Sequence, residues 1–165
     1  NIYCAGVYSK NLQKMIRGLK YHGQKDLAYY LAKFMYQYWQ KLNIQGDFQI
    51  IPVPLYPKRL KQRKYNHMEL VACEFAKLAG YEVSSNFVRR IKDTKPQYKL
   101  NKVQRMLNLD KAFEIDKNNI QCNKKYLLID DICTTGATFE EIIKALNDAG
   151  IYDIICFAAT TPWDG

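Results

Sequence analysis

The stretch from Tyr126 to Gly150, YLLIDDICTTGATFEEIIKALNDAG, decides the fold. Its first four residues are apolar and predict a buried β-strand that runs directly into Asp130 and Asp131. A loop of small and hydroxyl-bearing residues, 134–138, follows, and then an amphipathic helix that ends at the glycine. A second apolar segment, 154–158, comes next. The order strand, loop, helix, strand predicts a right-handed βαβ unit and a parallel sheet.

Patterns elsewhere in the chain complete the prediction of an α/β fold. Apolar residues at three-and-four spacing between Asn11 and Trp39 predict two helices, interrupted near Gly23. The other predicted elements are a strand at 48–53, a loop at 54–57 that carries a basic cluster, a helix capped by Asn66 and ended by Gly80, a strand at 86–91 and a mobile loop at 92–104. We predict one domain over 1–165, with a helical part at 1–45 and an α/β core at 46–165.

Composition narrows the class of protein further. The chain has 165 residues, of which 48% are hydrophobic and 25% charged, and these values are typical of a globular domain. No apolar run approaches the roughly 20 residues of a membrane span, and the first residues do not resemble a signal peptide, so we expect a cytoplasmic protein. The 5 cysteines are never spaced as Cys-x-x-Cys, which favours reduced packing residues over a disulfide scaffold or a zinc knuckle.

The net charge of +9 is unevenly distributed. Residues 1–125 hold 24 basic and 9 acidic side chains, a balance of +15, whereas residues 126–165 hold 1 basic and 7 acidic ones, a balance of −6. Such basic clusters either form a solvated surface or bind a polyanion, and tyrosines beside them could stack on nucleic-acid bases. The candidate nucleic-acid-binding residues are Lys58, Arg59, Lys61, Arg63, Lys64, Arg89, Arg90, Lys92, Lys95, Lys99, Lys102 and Arg105.

The segment between the predicted strand and helix has the composition of a phosphate-binding loop. Helix N-termini present unpaired N–H groups and a positive dipole end, and Gly136 lets the backbone approach a phosphate closely. Asp130 and Asp131 can accept hydrogen bonds from vicinal ribose hydroxyls at the carboxyl edge of the sheet. An ordinary strand-to-helix turn is the alternative, but it requires neither paired acids nor the run Thr134, Thr135, Gly136, Ala137 and Thr138.

Residues 127–138 closely resemble the 5-phosphoribosyl-1-pyrophosphate (PRPP) motif of type I phosphoribosyltransferases. Further stretches resemble one branch of that class, the ComF competence-protein family. They are Leu19-Lys20-Tyr21 with Gly23, Ile51–Leu55 followed by Arg59, Arg63–His67 with Leu70, and Arg89-Arg90 through Lys95, Gln97, Leu100, Arg105 and Asn108 to Phe113. The resemblance implies a type I phosphoribosyltransferase fold, a mostly parallel twisted sheet flanked by helices. It also implies magnesium-dependent PRPP binding and a part in DNA uptake during natural transformation.

The resemblance also assigns roles to residues. Asp130 and Asp131, the candidate catalytic residues, would hold the ribose hydroxyls, and the loop from Thr134 to Thr138 would hold the 5-phosphate. The loop with Val53 and Pro54, together with Arg59, would receive the pyrophosphate, and residues 92–105 would cover the site. The family often carries an N-terminal zinc module, of which Cys4 alone could be a remnant. His67 stands where the family commonly has glutamine, and its position at a helix start favours a capping or surface role.

Two functions remain open at the level of sequence. As an enzyme, the protein would transfer phosphoribose from PRPP to a nitrogenous acceptor and release pyrophosphate. As a binding module, it would hold PRPP while its basic residues handle single-stranded DNA, in contact with proteins of the uptake machinery. The basic balance of residues 1–125 favours DNA handling, and the complete PRPP motif favours retained ligand binding.

Overall fold

The structure is a computed structural model that describes residues 1–93, Val103 and 111–162. Along the described chain, a pair of helices follows each of the first two strands, and four further strands precede the last helix. The helices are α1 (Lys10–Tyr21), α2 (Leu27–Leu42), α3 (Pro57–Arg63), α4 (His67–Ala79) and α5 (Ala137–Asp148), with a short 3-10 helix at Lys117–Asn119. The strands are β1 (Ile2–Cys4), β2 (Phe48–Pro52), β3 (Glu82–Val83), β4 (Val88–Arg90), β5 (Phe113–Ile115), β6 (Lys125–Ile132) and β7 (Ile154–Thr160).

Within the described residues, five strands form one parallel sheet in the order β1-β7-β6-β2-β3. The register aligns Ile51 of β2 with Leu128 of β6, and Asp130 of β6 with Ala158 of β7. Strands β4 and β5 pair separately as an antiparallel ribbon. Because all strands of the main sheet run in one direction, the loops after β2, β6 and β7 meet at its carboxyl edge, where ligands of open α/β sheets bind.

Side chains alternate between the two faces of the sheet, and helices cover both faces. On one face, Ile50, Leu127 and Phe157 pack against the buried stripes of α1, α2 and α4. On the other face, Leu128 and Ala158 pack against α5 and the β4–β5 ribbon. A strand buried on both faces is expected to be continuously apolar, and the uniformly buried β2 follows this rule except at Gln49, whose side-chain amide donates to the Ser84 hydroxyl at 2.7 Å.

Most of the predicted elements are confirmed. The two N-terminal helices, the strand at 48–52, the βαβ unit and the α/β architecture with a parallel sheet flanked by helices are present. The predicted cap of α4 is also confirmed, since the Asn66 side chain accepts a hydrogen bond from the Met68 N–H at 3.0 Å and Gly80 ends the helix with a φ of 74°.

Three features differ from the sequence prediction. The first basic cluster lies on helix α3 instead of a loop, because Pro57 occupies its first turn, where proline's fixed φ suits a helix. Strand β6 continues through Asp130 and Asp131 as far as Ile132. Strand β1 was not predicted, because its three residues are too few to show a periodic pattern. The mobile loop predicted at 92–104 lies largely outside the described residues.

Over residues 1–93 and 111–162, no helix has both the length and the apolar character required to cross a membrane.

Candidate ligand-binding site

The loop between β6 and α5 forms a shallow cradle at the carboxyl edge of the sheet. The Cys133 N–H donates to the Thr160 carbonyl at 2.9 Å, which ties the start of the loop to β7. Thr134 and Thr135 are exposed, whereas Gly136 and Ala137 are buried at the start of the helix. The loop therefore holds hydroxyl groups and backbone N–H groups of the helix start on one small surface, as anion binding requires.

Gly136 is required at its position by backbone conformation and by space. Its φ of 79° lies in the left-handed region, which side-chain-bearing residues rarely adopt. A Cβ atom built there would lie 3.2 Å from Cδ1 of Ile2, in strand β1. The glycine therefore allows the loop to pass close over β1, and the shape of the cradle depends on this approach.

The two acids of the motif occupy different environments. Asp130 is half-buried and lines the same pocket as residues 132–139. Asp131 follows it in the strand and projects to the opposite face, where it is 5% exposed. There its Oδ2 atom lies 2.5 Å from Nζ of Lys20 and 2.7 Å from Nε2 of His67. The sequence predicted one shared role for these acids, but Asp130 alone belongs to the pocket lining.

His67 is a buried member of this cluster, 3% exposed, so the predicted capping or surface role is wrong. Its Nδ1 atom lies 2.8 Å from Nη1 of Arg63, which can only donate, so Nδ1 accepts and Nε2 carries the proton donated to Asp131. Burial, opposed by Asp131, lowers the pKa of His67, in agreement with a neutral ring. Arg63 ends α3 and His67 begins α4, so their contact depends on the turn between the two helices, and the contacts with Asp131 and Lys20 are not local in the sequence.

The charges of the cluster stabilise different protonation states of the paired acids. Burial would raise the pKa of Asp131, but Lys20 and His67 outweigh burial and hold that pKa well below its ordinary range. Burial and then the negative charge of Asp131 raise the pKa of Asp130 to about 8. At neutral pH, Asp131 is therefore an ionised carboxylate buried below the edge of the sheet. Asp130 is protonated, so its carboxyl group can both donate and accept a hydrogen bond in the pocket.

The loop after β2 lies beside the cradle because β2 and β6 are neighbours in the sheet. The Val53 N–H donates to the Ile129 carbonyl at 3.0 Å, and the side-chain amide of Asn66 donates to the Val53 carbonyl at 3.2 Å. Pro54 is buried in the same loop, and Arg59 is half-buried on the helix that follows. The structure thus brings the two segments predicted to bind the phosphates to one edge.

The predicted nucleic-acid-binding residues divide into distinct groups. In the first cluster, Lys58, Lys61 and Lys64 are exposed, whereas Arg59 and Arg63 are half-buried. In the second, Arg89 pairs with Glu114 at 3.2 Å and Lys92 is exposed. Arg90 is buried, with its guanidinium carbon 5.7 Å from the Phe113 ring centroid, and burial followed by Arg59 lowers its pKa to about 10. The remaining candidates lie outside the described residues: Lys95, Lys99, Lys102 and Arg105.

Among the described residues, no group of three or more histidine, cysteine or carboxylate side chains could hold a metal ion by itself. A magnesium ion that retains waters and is bound mainly by substrate phosphates needs at most one or two protein carboxylates. Asp130 is the carboxyl group that lines the pocket, and it would have to release its proton to serve as a ligand. The donor set therefore fits a metal that arrives with a polyphosphate ligand.

A larger cleft, of about 380 Å³, shares no residue with the cradle. Its lining contains no cationic side chain and consists of Ser84, Asn86, Phe87, Asp116, Asn118, Asn119, Ile120 and Gln121. The lining of the cradle also lacks a cationic side chain, but the cradle presents the start of helix α5 and three threonine hydroxyl groups, which can donate hydrogen bonds to a phosphate.

A parallel sheet with a strand–loop–helix cradle at its carboxyl edge, flanked by helices on both faces, defines the class of the protein as α/β with an open parallel sheet. Comparison with solved structures finds adenine phosphoribosyltransferase from Thermoanaerobacter pseudethanolicus at a TM-score of 0.48 and 14% identity, covering 82% of this chain and 80% of that one. The Saccharomyces cerevisiae enzyme matches with a TM-score of 0.43 and 14% identity over 84% of this chain and 77% of that one.

Comparison with curated sequences then gives the family. Competence protein F of Haemophilus influenzae is 31% identical over 155 residues, covering 90% of this chain and 67% of that protein. Competence protein ComFC of Streptococcus pneumoniae is 29% identical over 92% of this chain and 64% of its own length, and DNA utilization protein YhgH of Salmonella typhimurium is 27% identical over 93% and 69%. This chain belongs to the ComF competence-protein family.

The chain spans about two thirds of the length of these relatives. A scan against family models finds none that matches the chain.

Proposed function

We propose that this chain binds PRPP, with magnesium carried by the ligand, and that it handles single-stranded DNA during DNA uptake in natural transformation. The observation that carries the PRPP proposal is the meeting of the cradle and the loop after β2 at one sheet edge, with Asp130 in the pocket. The names of the relatives, two competence proteins and a DNA utilization protein, support the role in DNA uptake.

Each part of the ligand would meet a different part of the site. The 5-phosphate would lie on the loop Thr134–Thr138, where the helix start and the hydroxyl groups donate hydrogen bonds. The ribose hydroxyls would face Asp130, and the pyrophosphate would face the loop of Val53 and Pro54 with Arg59. Bound magnesium would neutralise part of the charge of the pyrophosphate. Asp131 would act as a positioning residue, because its carboxylate is already held by Lys20 and His67.

The PRPP site is tested by calorimetric titration of Asp130→Ala with PRPP and magnesium at pH 7.5. Each hydrogen bond lost to a ribose hydroxyl is worth about 0.5–1.5 kcal/mol, so affinity should fall by roughly 2- to 160-fold for one to two bonds. The matched control is Asp153→Ala, since the Asp153 side chain is 64% exposed at the amino end of β7. Equal PRPP affinity of the two variants and the unchanged chain would overturn the assignment.

The DNA-handling part is tested with a labelled oligothymidylate at several salt concentrations. The exposed lysines of the first cluster, Lys58, Lys61 and Lys64, would contact phosphates and release counterions. Replacing all of them with glutamine should reduce the slope of log affinity against log salt by about 0.7 for each phosphate contact removed. An unchanged slope would mean that these lysines form a solvated surface.

A further inference from the structure

Tyr21, at the end of α1, is an exposed aromatic ring between two cations. It is 63% exposed, the guanidinium carbon of Arg17 lies 5.7 Å from its ring centroid, and that of Arg63 lies 5.6 Å from it. Both guanidinium carbons lie over the ring at distances near the outer limit of a cation–π contact, and the residue nevertheless keeps 63% of its surface exposed to solvent.

The surroundings of this ring are strongly cationic. Helix α1 contains four basic residues and α3 contains four, and neither helix contains an acidic one. The two helices are held together by Tyr65, which follows α3 and whose hydroxyl donates to the Leu19 carbonyl of α1. Nζ of Lys25 lies 4.9 Å from the centroid of the Tyr65 ring, which places a further cation beside this junction. The surface therefore combines the two elements of a single-strand groove, positive charge and aromatic rings.

The same surface is connected by hydrogen bonds to the buried cluster around Asp131, the residue that follows the pocket-lining Asp130 in β6. Arg63, which flanks Tyr21, donates to Nδ1 of His67 at 2.8 Å, and the opposite nitrogen of that ring lies 2.7 Å from Asp131. Lys20, the residue before Tyr21, reaches the same carboxylate. The exposed ring is therefore linked to Asp131 of strand β6 through Arg63 and His67, and through Lys20, its neighbour in the chain.

We propose that Tyr21, with Arg17 and Arg63, is a stacking platform for a base of single-stranded nucleic acid, and that the strand passes from it across α3 toward the PRPP pocket. The inference rests on the proposed DNA-handling function and gives it a location. The ring would stack on a base of any sequence, while the flanking arginines and Lys25 would meet the adjacent phosphates. An acidic peptide would also pair with the cationic side chains, but it has no nucleobases to stack on the exposed ring of Tyr21.

The experiment measures affinity by fluorescence anisotropy with a labelled oligothymidylate of about 20 nucleotides and with an abasic strand of equal length and charge. Tyr21→Leu removes the aromatic face and retains an apolar side chain. Loss of one base stack should weaken binding of the oligothymidylate by about 5- to 150-fold and leave binding of the abasic strand unchanged. The matched control is Tyr152→Leu, since Tyr152 is 75% exposed in the acidic last segment of the chain and should be replaceable without effect.

The outcomes separate the inference from the function on which it rests. If the unchanged chain binds the oligothymidylate and Tyr21→Leu binds it equally well, the platform is overturned and DNA handling stands. If the unchanged chain binds neither strand at low salt, both are overturned. An equal loss of affinity for the two strands would mean that Tyr21 supports the arginines and does not stack, which also overturns the platform. Thermal unfolding of both variants shows whether the fold is retained.

Discussion

Replacing Lys20 with methionine tests whether the buried cluster around Asp131 is arranged as described. Methionine preserves most of the length and apolar volume of the lysine stem but removes the ammonium that lies 2.5 Å from the Asp131 carboxylate. The Lys20 side chain is 21% exposed and that of Asp131 is 7% exposed, so the pair is largely shielded from solvent. The substitution therefore leaves a buried carboxylate with His67 as its remaining partner within the cluster.

The expected loss of stability follows from this geometry. Removing one partner of a buried ion pair costs about 3–5 kcal/mol because the other charge is left uncompensated. Partial exposure of the lysine and the remaining hydrogen bond from His67 reduce the expected cost to about 2–4 kcal/mol at pH 8. For a domain of this size, such a change lowers the melting temperature by roughly 5–15 °C.

The loss should depend on pH because His67 can replace the missing charge. In the unchanged chain, burial and the charge of Lys20 lower the pKa of His67, so the folded protein loses stability as pH falls below the histidine's unfolded value of about 6.5. Without Lys20, the folded His67 binds a proton at a higher pH and pairs with Asp131. The stability difference between the two proteins should therefore be smaller at pH 5.5 than at pH 8.

The assay is urea unfolding followed by circular dichroism at both pH values. The matched control is Lys77→Met, which removes an ammonium 2.8 Å from Glu74 on the surface of α4, where the lysine side chain is 70% exposed. Because an ion pair on the surface contributes little to stability, this variant should change the free energy of unfolding far less than Lys20→Met does. A Lys20→Met protein as stable as Lys77→Met at pH 8 would refute the description of the cluster.

Two further predictions concern the cradle. Gly136→Ala should lower the free energy of unfolding by about 1–3 kcal/mol, measured in urea, because an alanine is strained at a φ of 79° and its Cβ would lie 3.2 Å from Cδ1 of Ile2. The control is Gly80→Ala, since Gly80 has a similar φ of 74° but no atom of the described residues within 4 Å of the added Cβ; an equal cost for the two variants would show that contact with Ile2 does not matter. Asp130→Asn should stabilise the protein more at pH 9 than at pH 5. With a pKa of about 8 for Asp130 in the folded state, the unchanged chain loses stability as pH rises from about 4 to 8, whereas asparagine does not titrate. An equal difference in stability at both pH values would contradict the raised pKa.

The candidate site could be predicted from sequence where its chemistry is local. Residues 127–138 contain the strand, the acid pair, the loop and the helix start in one continuous run, so the pattern alone located the cradle. The prediction that Asp130 and Asp131 share one role was incomplete. Neighbouring residues of a strand point to opposite faces, and the strand continues through both acids instead of ending before them.

The buried cluster could not be predicted in this way. Lys20 and Asp131 are more than a hundred positions apart in the chain, and His67 is 64 positions from Asp131, so no sequence window contains their contact. His67 has the local pattern of a helix start, which favoured a capping or surface position. Packing of α4 against the sheet instead buries its ring beside an ionised carboxylate.

The sequence by itself determined the α/β class, the helix and strand periodicity, the position of the loop at 134–138 and the uneven charge, because each depends on residues adjacent along the chain. Tertiary structure decided which acid lines the pocket, which arginines are buried and which tyrosine is exposed to solvent beside two guanidinium groups. These properties depend on which faces of distant elements meet. The free energy of burying or pairing a charge is fixed by its surroundings in space and not by its neighbours in sequence.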